Sequence, residues 1–113
     1  MSKKNETAQD PLETIDSEQL ITATGGFTAA DMPADARWIM QHESGGRTNA
    51  RNPSSSAFGA FQMLKATRQQ YMGRANMNST DLGLQYQGAT KYVNSRYGGW
   101  TGARRFWQSH HWY

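Results

Sequence analysis

The chain of 113 residues contains no cysteine, and no stretch of it stays apolar for long. The first absence excludes disulfide bonds, thiolate-bound metals and a cysteine nucleophile. The second excludes a transmembrane helix, which needs about 20 apolar residues, and a Sec-type signal peptide, whose apolar region spans at least about seven. We therefore expect no membrane insertion, and a fold stabilised by packing rather than by disulfide bonds.

Acidic residues are scarce in the longer, later part of the chain. Residues 27–113 contain four of them against ten Lys and Arg residues, a net charge of +6. Glu43 is the only glutamate in that part. Residues 1–26 have the opposite sign, with a net charge of −3. This asymmetry indicates two parts with different functions.

Residues 1–26 contain no Trp, Tyr or Phe, which predicts a disordered segment without a core of its own. Ile15 and Leu20 lie upstream of the pair Gly25-Gly26. In this the segment resembles the double-glycine leaders of small bacterial peptides and bacteriocins. The resemblance implies cleavage after Gly26 by a peptidase-containing ABC transporter. The alternative is a plain disordered N-terminal extension.

The later part, residues 27–113, is long enough for one compact domain and contains every aromatic residue of the chain. The apolar spacing and the glycine pairs predict four helices, over about 33–44, 64–72 and 79–96 and from about residue 101 onward. Residues 45–63 are rich in turn-forming residues and should contain at most a short hairpin. The sequence therefore predicts a small, mainly α domain with a short irregular wing.

Glu43 occupies an unusual position for a carboxyl group. Together with Ala36, Ile39 and Met40 it follows the i, i+3, i+4, i+7 spacing of one helical face. The glycines that follow it should end the helix, which leaves the carboxyl near a loop. Burial against apolar surface favours the protonated form, as general acid catalysis requires. In the alternative reading, Glu43 is an ordinary helix-end residue with its carboxyl group in solvent.

Several motifs together resemble a known family. They are Glu43-Ser-Gly-Gly46, Ala57-Phe-Gly-Ala-Phe-Gln62, Arg96-Tyr-Gly-Gly-Trp100 and the aromatic segment from Phe106 to Tyr113. In combination they resemble the lysozyme-like transglycosylase domains of bacterial cell-wall proteins, especially resuscitation-promoting and aggregation-promoting factors. The resemblance implies a small lysozyme-like α(+β) fold and a lytic transglycosylase or lysozyme-like glycosidase acting on MurNAc-GlcNAc glycan strands of peptidoglycan.

The resemblance also implies roles for single residues. Glu43 would be the catalytic acid, while Gln62 and Thr67 would border the sugar cleft. The Ala-Tyr-Asn element of soluble lytic transglycosylases is replaced here by Phe106-Trp107-Gln108, which leaves the roles of that element open. Phe58, Tyr92 and Trp107 could stack on sugar rings or belong to the core.

Lytic transglycosylases are thought to use one glutamate, whereas most glycosidases use two carboxyl groups. The same glutamate would protonate the glycosidic oxygen and then deprotonate the C6 hydroxyl, closing a 1,6-anhydro ring. The remaining acids of the later part are Asp31, Asp35 and Asp81. The sequence leaves open whether one of them assists, and whether hydrolysis or ring closure dominates.

Other functions receive less support from the sequence. His42-Glu43 is not a zinc-protease signature, because Gly46 stands where a second His is required. His110-His111 has no carboxylate nearby in sequence, so we expect no metal and no cofactor. The basic residues are scattered, which suits an anionic cell wall as well as nucleic acid, and we expect no nucleic-acid partner.

The sequence as a whole predicts a secreted muralytic enzyme, which the leader-like segment would make a bacteriocin-like toxin. Its expected partners are peptidoglycan glycan strands, the peptidase-containing transporter and, for a toxin, an immunity protein. The alternative is a non-catalytic module of lysozyme-like fold that binds or signals at the cell wall.

Overall fold

The computed structural model describes residues 26–113. Within this range the chain forms a short 3-10 turn and four α-helices. The turn is Ala29–Asp31, and the helices are α1 (Ala34–Ser44), α2 (Lys65–Met72), α3 (Leu82–Tyr97) and α4 (Trp100–His110). The expected mainly α domain with an irregular wing is confirmed.

The ends of the helices follow from local chemistry. α3 begins at Leu82, three residues later than the spacing predicts, because the Asp81 carboxylate caps the helix by accepting from the Leu84 N–H at 2.9 Å. α1 ends at Gly45, where the backbone turns left-handed with φ of 66°. This geometry suits glycine, which lacks a Cβ atom. The chain therefore leaves α1 one residue after Ser44 and two after Glu43.

The core lies where the helices meet the wing. α4 packs against both α1 and α3, and α2 packs against α3. Fully buried side chains come from each region, among them Ile39 and Met40 of α1, Phe61 of the wing and Val93 of α3. Burying such a side chain contributes about 1.5–3 kcal/mol. Aromatic rings extend the core, since Trp100 stacks parallel to Tyr86 at 6.0 Å between centroids.

The wing, residues 45–63, contains turns and two isolated antiparallel bridges, Arg51 with Phe58 and Phe58 with Met63. The wing has backbone hydrogen bonds of its own, such as that from the Gly59 N–H to the Ala50 carbonyl at 2.8 Å, and side chains of the helices attach it to the rest of the domain. Gln85 of α3 is buried and makes three side-chain hydrogen bonds, two of them to the wing. Its Oε1 accepts from the Ala60 N–H at 2.9 Å, while Nε2 donates to the carbonyls of Thr48 and Ser79, each at 2.8 Å.

The described residues include little of the expected leader and no helix that could span a membrane. The expected leader falls almost entirely on residues 1–25, outside the described residues; only Gly26 of it is included, and Gly26 is exposed. Within residues 26–113, every helix is too short or too polar to cross a membrane.

Candidate active site

The Glu43 side chain lies in the last turn of α1, half-buried, on the same helix as the buried Ile39 and Met40. The neighbouring Ser44 attaches this turn to the wing. Its buried hydroxyl donates to the Ala60 carbonyl at 2.7 Å and accepts from the Gly46 N–H at 3.1 Å. The end of α1 is therefore tied to the wing directly beside the carboxyl group.

The Glu43 carboxyl is held by a residue 64 positions later in the chain. The indole Nε1–H of Trp107 donates to Glu43 Oε2 at 2.6 Å. Burial raises the pKa of Glu43, whereas the Trp107 hydrogen bond and the neighbouring His42 act in the opposite direction, and the net shift is upward. The site thus favours the acid while keeping one donor in place for the carboxylate.

Glu43 opens into a cleft of about 250 Å³ between the wing, α2, α3 and the end of the chain. The cleft has polar, aromatic and aliphatic walls and contains one acidic and one basic side chain. Its lining consists of Glu43, Gln62, Met63, Leu64, Thr67, Tyr92, Arg96, Trp112 and Tyr113. Four residues expected at the site from sequence, Glu43, Gln62, Thr67 and Tyr92, are therefore brought together in one cleft.

Gln62 has a left-handed backbone, with φ of 51°, which is uncommon for a residue other than glycine. Its amide nitrogen donates to the carbonyls of Gly59 at 2.8 Å and Ala50 at 3.0 Å. Both amide hydrogens are thereby engaged by the wing. The amide oxygen remains available as a hydrogen-bond acceptor for a molecule in the cleft.

Tyr113 forms the wall next to the carboxyl group. Its hydroxyl donates to the Phe61 carbonyl at 2.7 Å, and its own carbonyl accepts from the Tyr92 hydroxyl at 2.7 Å. Burial raises the pKa of the Tyr113 phenol well above its usual value, and the negative charge of Glu43 adds to the shift. The phenol therefore stays neutral beside Glu43.

Two aromatic residues expected to stack on sugar rings are placed otherwise. Phe58 does not line the cleft. It is buried in the wing, with the guanidinium groups of Arg51 and Arg68 at 4.8 and 5.4 Å from its ring centre. Trp107 contacts the site through its N–H, while its ring packs edge-on against Trp38 at 5.1 Å. Packing within the domain occupies both rings.

The three aspartates that could have supplied a second carboxylate lie outside the cleft lining. Asp31 accepts from the Thr28 N–H at 2.9 Å. Asp35 pairs with Arg104 and accepts from the Thr101 hydroxyl, and this hydrogen bond leads the causes that lower its pKa. Asp81 caps α3. Each carboxylate is occupied with local structure.

The structure adds site residues that the sequence reasoning missed. Arg96, Trp112 and Tyr113 line the cleft, and the hydroxyl of Ser44 positions the turn that carries Glu43. Gln85, which holds the wing from α3, was also missed. It is the only one of these residues with a signal in the sequence, because it is a polar residue three positions after Leu82 and four before Ala89, on a stripe that is otherwise apolar. The same reasoning had singled out Glu43.

All three histidines contact aromatic rings, and His42 and His111 share a contact with Trp107. His42 stacks on Trp38, His110 stacks on Phe106, and His111 lies edge-on to Trp107. Within residues 26–113, His, Asp and Glu form no group of three that could hold a metal ion.

Comparison with known proteins identifies the family. A family model described as the Transglycosylase SLT domain matches residues 28–112, a range that includes all four helices, the wing and nearly the whole cleft lining. No curated protein and no solved structure matches the chain. The domain has the helical lysozyme-like fold of this family. Membership implies an activity of the general peptidoglycan lytic transglycosylase type. The chain belongs to the SLT transglycosylase family.

Proposed function

We propose that this protein is a secreted enzyme that cleaves MurNAc-GlcNAc glycan strands with Glu43 as its single catalytic carboxyl group. The observation that carries the proposal is the setting of Glu43, a half-buried carboxyl with a raised pKa that faces a cleft and is held by the Trp107 N–H. A buried acid of this kind can protonate a leaving oxygen near neutral pH.

In the proposed reaction, Glu43 donates its proton to the glycosidic oxygen while the bond from that oxygen to C1 breaks. The acetamido oxygen of the MurNAc unit stabilises the positive charge that develops at C1. The Glu43 carboxylate then removes the proton from the C6 hydroxyl, and the C6 oxygen bonds to C1 to close the 1,6-anhydro ring. Glu43 ends protonated, ready for another turnover.

The surrounding residues have roles consistent with this sequence of steps. The Trp107 N–H stabilises the carboxylate that exists between the two proton transfers. The Gln62 amide oxygen can accept from a sugar hydroxyl or acetamido N–H, since its nitrogen is already engaged. Thr67 and Tyr92 border the same cleft as substrate-binding residues. Hydrolysis, with water in place of the C6 hydroxyl, is the competing outcome.

The cellular setting belongs to the same proposal. The leader-like segment would direct export through a peptidase-containing ABC transporter. The exported protein would then act on cell walls, either as an enzyme of the resuscitation-promoting or aggregation-promoting factor type or as a bacteriocin-like toxin. A toxin of this kind would require an immunity protein in the producer. The net charge of +6 on residues 27–113 favours contact with an anionic wall.

The test is the loss of turbidity of purified cell walls treated with the wild-type protein and with Glu43→Gln. The amide of glutamine is nearly isosteric with the carboxyl group but has no acidic proton, so activity should fall by about 10²–10⁴-fold. Matched controls are Asp31→Asn, Asp35→Asn and Asp81→Asn, each expected to retain most of the activity. Mass spectrometry of the products separates anhydro ends from reducing ends.

A Glu43→Gln protein that is folded and as active as wild type would contradict the assignment of Glu43. A wild-type protein that binds walls without releasing soluble fragments would instead support the non-catalytic cell-wall module.

A further inference from the structure

The cleft contains one cationic side chain, Arg96, in the last turn of α3. Its guanidinium carbon lies 5.4 Å from the centre of the Trp112 ring, 5.5 Å from that of Tyr97 and 6.0 Å from that of Tyr92. One nitrogen, Nη1, donates to the Tyr92 hydroxyl at 3.3 Å. Cation–π contacts with three rings therefore hold the guanidinium at the edge of the cleft.

Arg96 lacks the anionic or carbonyl partners that occupy other arginines of the domain. The four acceptors of the buried Arg68 are the carbonyls of Met63, Met77 and Ser56 and the side chain of Asn78. Arg104 forms an ion pair with Asp35, with 3.0 Å between Nη1 and Oδ1. Arg96 uses one N–H of its five, so a planar set of donors is left for an anion.

Arg96 is also not part of the proton chemistry at Glu43. Burial, Trp107 and His42 account for the shift in the pKa of Glu43. Arg96 is an exposed positive charge on the cleft lining, and its natural complement is a carboxylate brought in by the substrate. A planar guanidinium binds a carboxylate through two parallel hydrogen bonds, which favours that anion over a point charge.

We propose that Arg96 binds a carboxylate of the peptide substituent on the glycan strand and makes the acidic, peptide-bearing strand the preferred substrate. This inference rests on the proposed function, since it assigns a specificity to the same cleft. Trp112, which is 49% exposed, packs on Arg96 and lines the same cleft.

The experiment compares native cell walls with walls whose peptide carboxylates have been converted to amides by carbodiimide and ammonia. The glycan and the peptides are otherwise unchanged. We measure kcat/KM for release of soluble fragments by the wild type, Arg96→Gln, Arg96→Lys and the control Arg74→Gln, at raised ionic strength so that long-range attraction is screened. Arg74 is an exposed arginine after α2 that lies outside the cleft lining.

Amidation should lower kcat/KM of the wild type and of Arg74→Gln by about five- to tenfold. Arg96→Gln should show a similar loss on native walls and no further loss on amidated walls, with Arg96→Lys in between because it keeps the charge but not the paired donors. If the losses from Arg96→Gln and from amidation multiply, or if neither change matters, Arg96 does not bind the carboxylate.

A second readout separates this inference from the proposed reaction. The Glu43→Gln protein, with and without Arg96→Gln, is titrated with soluble peptide-bearing glycan fragments in native and amidated form. Binding that depends jointly on Arg96 and the carboxylate supports the inference even if no turnover is found. Turnover by the wild type without such joint dependence supports the reaction and overturns the inference.

Discussion

In the proposed reaction Glu43 serves as an acid and then as a base within one turnover, and its surroundings include one influence that favours each form. Burial disfavours the charge and raises the pKa of Glu43, which favours the protonated form. The Trp107 N–H at 2.6 Å stabilises the carboxylate once the proton has left. A side chain with only one of these influences would perform one of the two steps poorly.

The raised pKa of Glu43 predicts how stability depends on pH. In the unfolded chain the pKa returns to the ordinary value of a glutamate, 4.5, so the free energy of unfolding of the wild type should fall as pH rises from about 4.5 through the higher folded pKa. Glu43→Gln lacks this loss and should be no less stable than wild type at pH 7. Urea unfolding of both proteins between pH 4 and pH 8 checks this. A wild-type protein that gains stability relative to the variant over that range would show that the Glu43 pKa is lowered, not raised.

Trp107→Phe should change the pH profile of catalysis. Removing the N–H takes away an influence that lowers the pKa of Glu43, so the alkaline limb of kcat/KM should move to higher pH. The maximum rate should fall by about tenfold or more, because a hydrogen bond to a charged group is worth about 1.5–3 kcal/mol.

Trp100→Phe is the matched control for Trp107→Phe. The Trp100 N–H donates to the Thr90 hydroxyl at 3.2 Å, on a different part of the fold. This variant should lose stability and leave the alkaline limb where it is. Equal profiles for the two variants would mean that the Trp107 hydrogen bond does not tune Glu43.

At the scale of elements, the site depends on an irregular wing that regular helices hold in position. The wing carries Gln62, whose left-handed backbone is sustained by two hydrogen bonds from its own amide to wing carbonyls. Gln85 and Ser44 connect the wing to α3 and α1 through Ala60. Helices supply rigidity and the wing supplies the polar wall of the cleft.

Gln85→Met should be strongly destabilising. It leaves the Ala60 N–H and the carbonyls of Thr48 and Ser79 without their partner, and each buried unsatisfied group costs about 1–3 kcal/mol. We expect a loss of at least about 3 kcal/mol in the free energy of unfolding in urea.

Gln87→Met, two residues along α3 and only half-buried, serves as the control for Gln85→Met and should change stability by less than about 0.5 kcal/mol. Similar losses for the two variants would contradict the role given to Gln85.

At the scale of the whole molecule, opposite charges are separated along the chain. Residues 1–26 carry −3 and residues 27–113 carry +6, so removal of the first part would leave a uniformly more basic protein. A larger net positive charge favours association with anionic polymers.

The leader proposal predicts that the extracellular protein begins at Phe27. Two residues without Cβ atoms pass easily through a narrow peptidase channel in extended form. Leu20→Asp should block export, because it places a charge where the leader resemblance implies a bulky aliphatic side chain, whereas the neighbouring Gln19→Asp, with the same added charge, should not. Intact mass measurement of the extracellular form decides between the two outcomes. An exported product that retains Met1 to Gly26 would exclude processing.

The parts of the fold that depend on local sequence features were predictable. The starts of all four helices and the ends of the first three were predicted to within three residues, since the apolar spacing, the glycine pairs and the caps are local properties of the chain. The displaced start of α3 shows the limit, because the spacing alone did not reveal that Asp81 caps the helix. Glu43 could be singled out for the same local reason, as an acid on an apolar stripe.

The sequence by itself therefore determined the helices, the family motifs and the carboxyl at the end of α1. Only the tertiary structure decided that Trp107 donates to Glu43 across 64 residues, that Tyr113 reaches Phe61, and that Phe58 stays in the wing. An α-helix is formed by hydrogen bonds between residues four apart in the chain, so the local sequence specifies where a helix forms. Contacts between distant side chains depend on how the helices cross and on which rotamers fit the core, and these are properties of the packed domain.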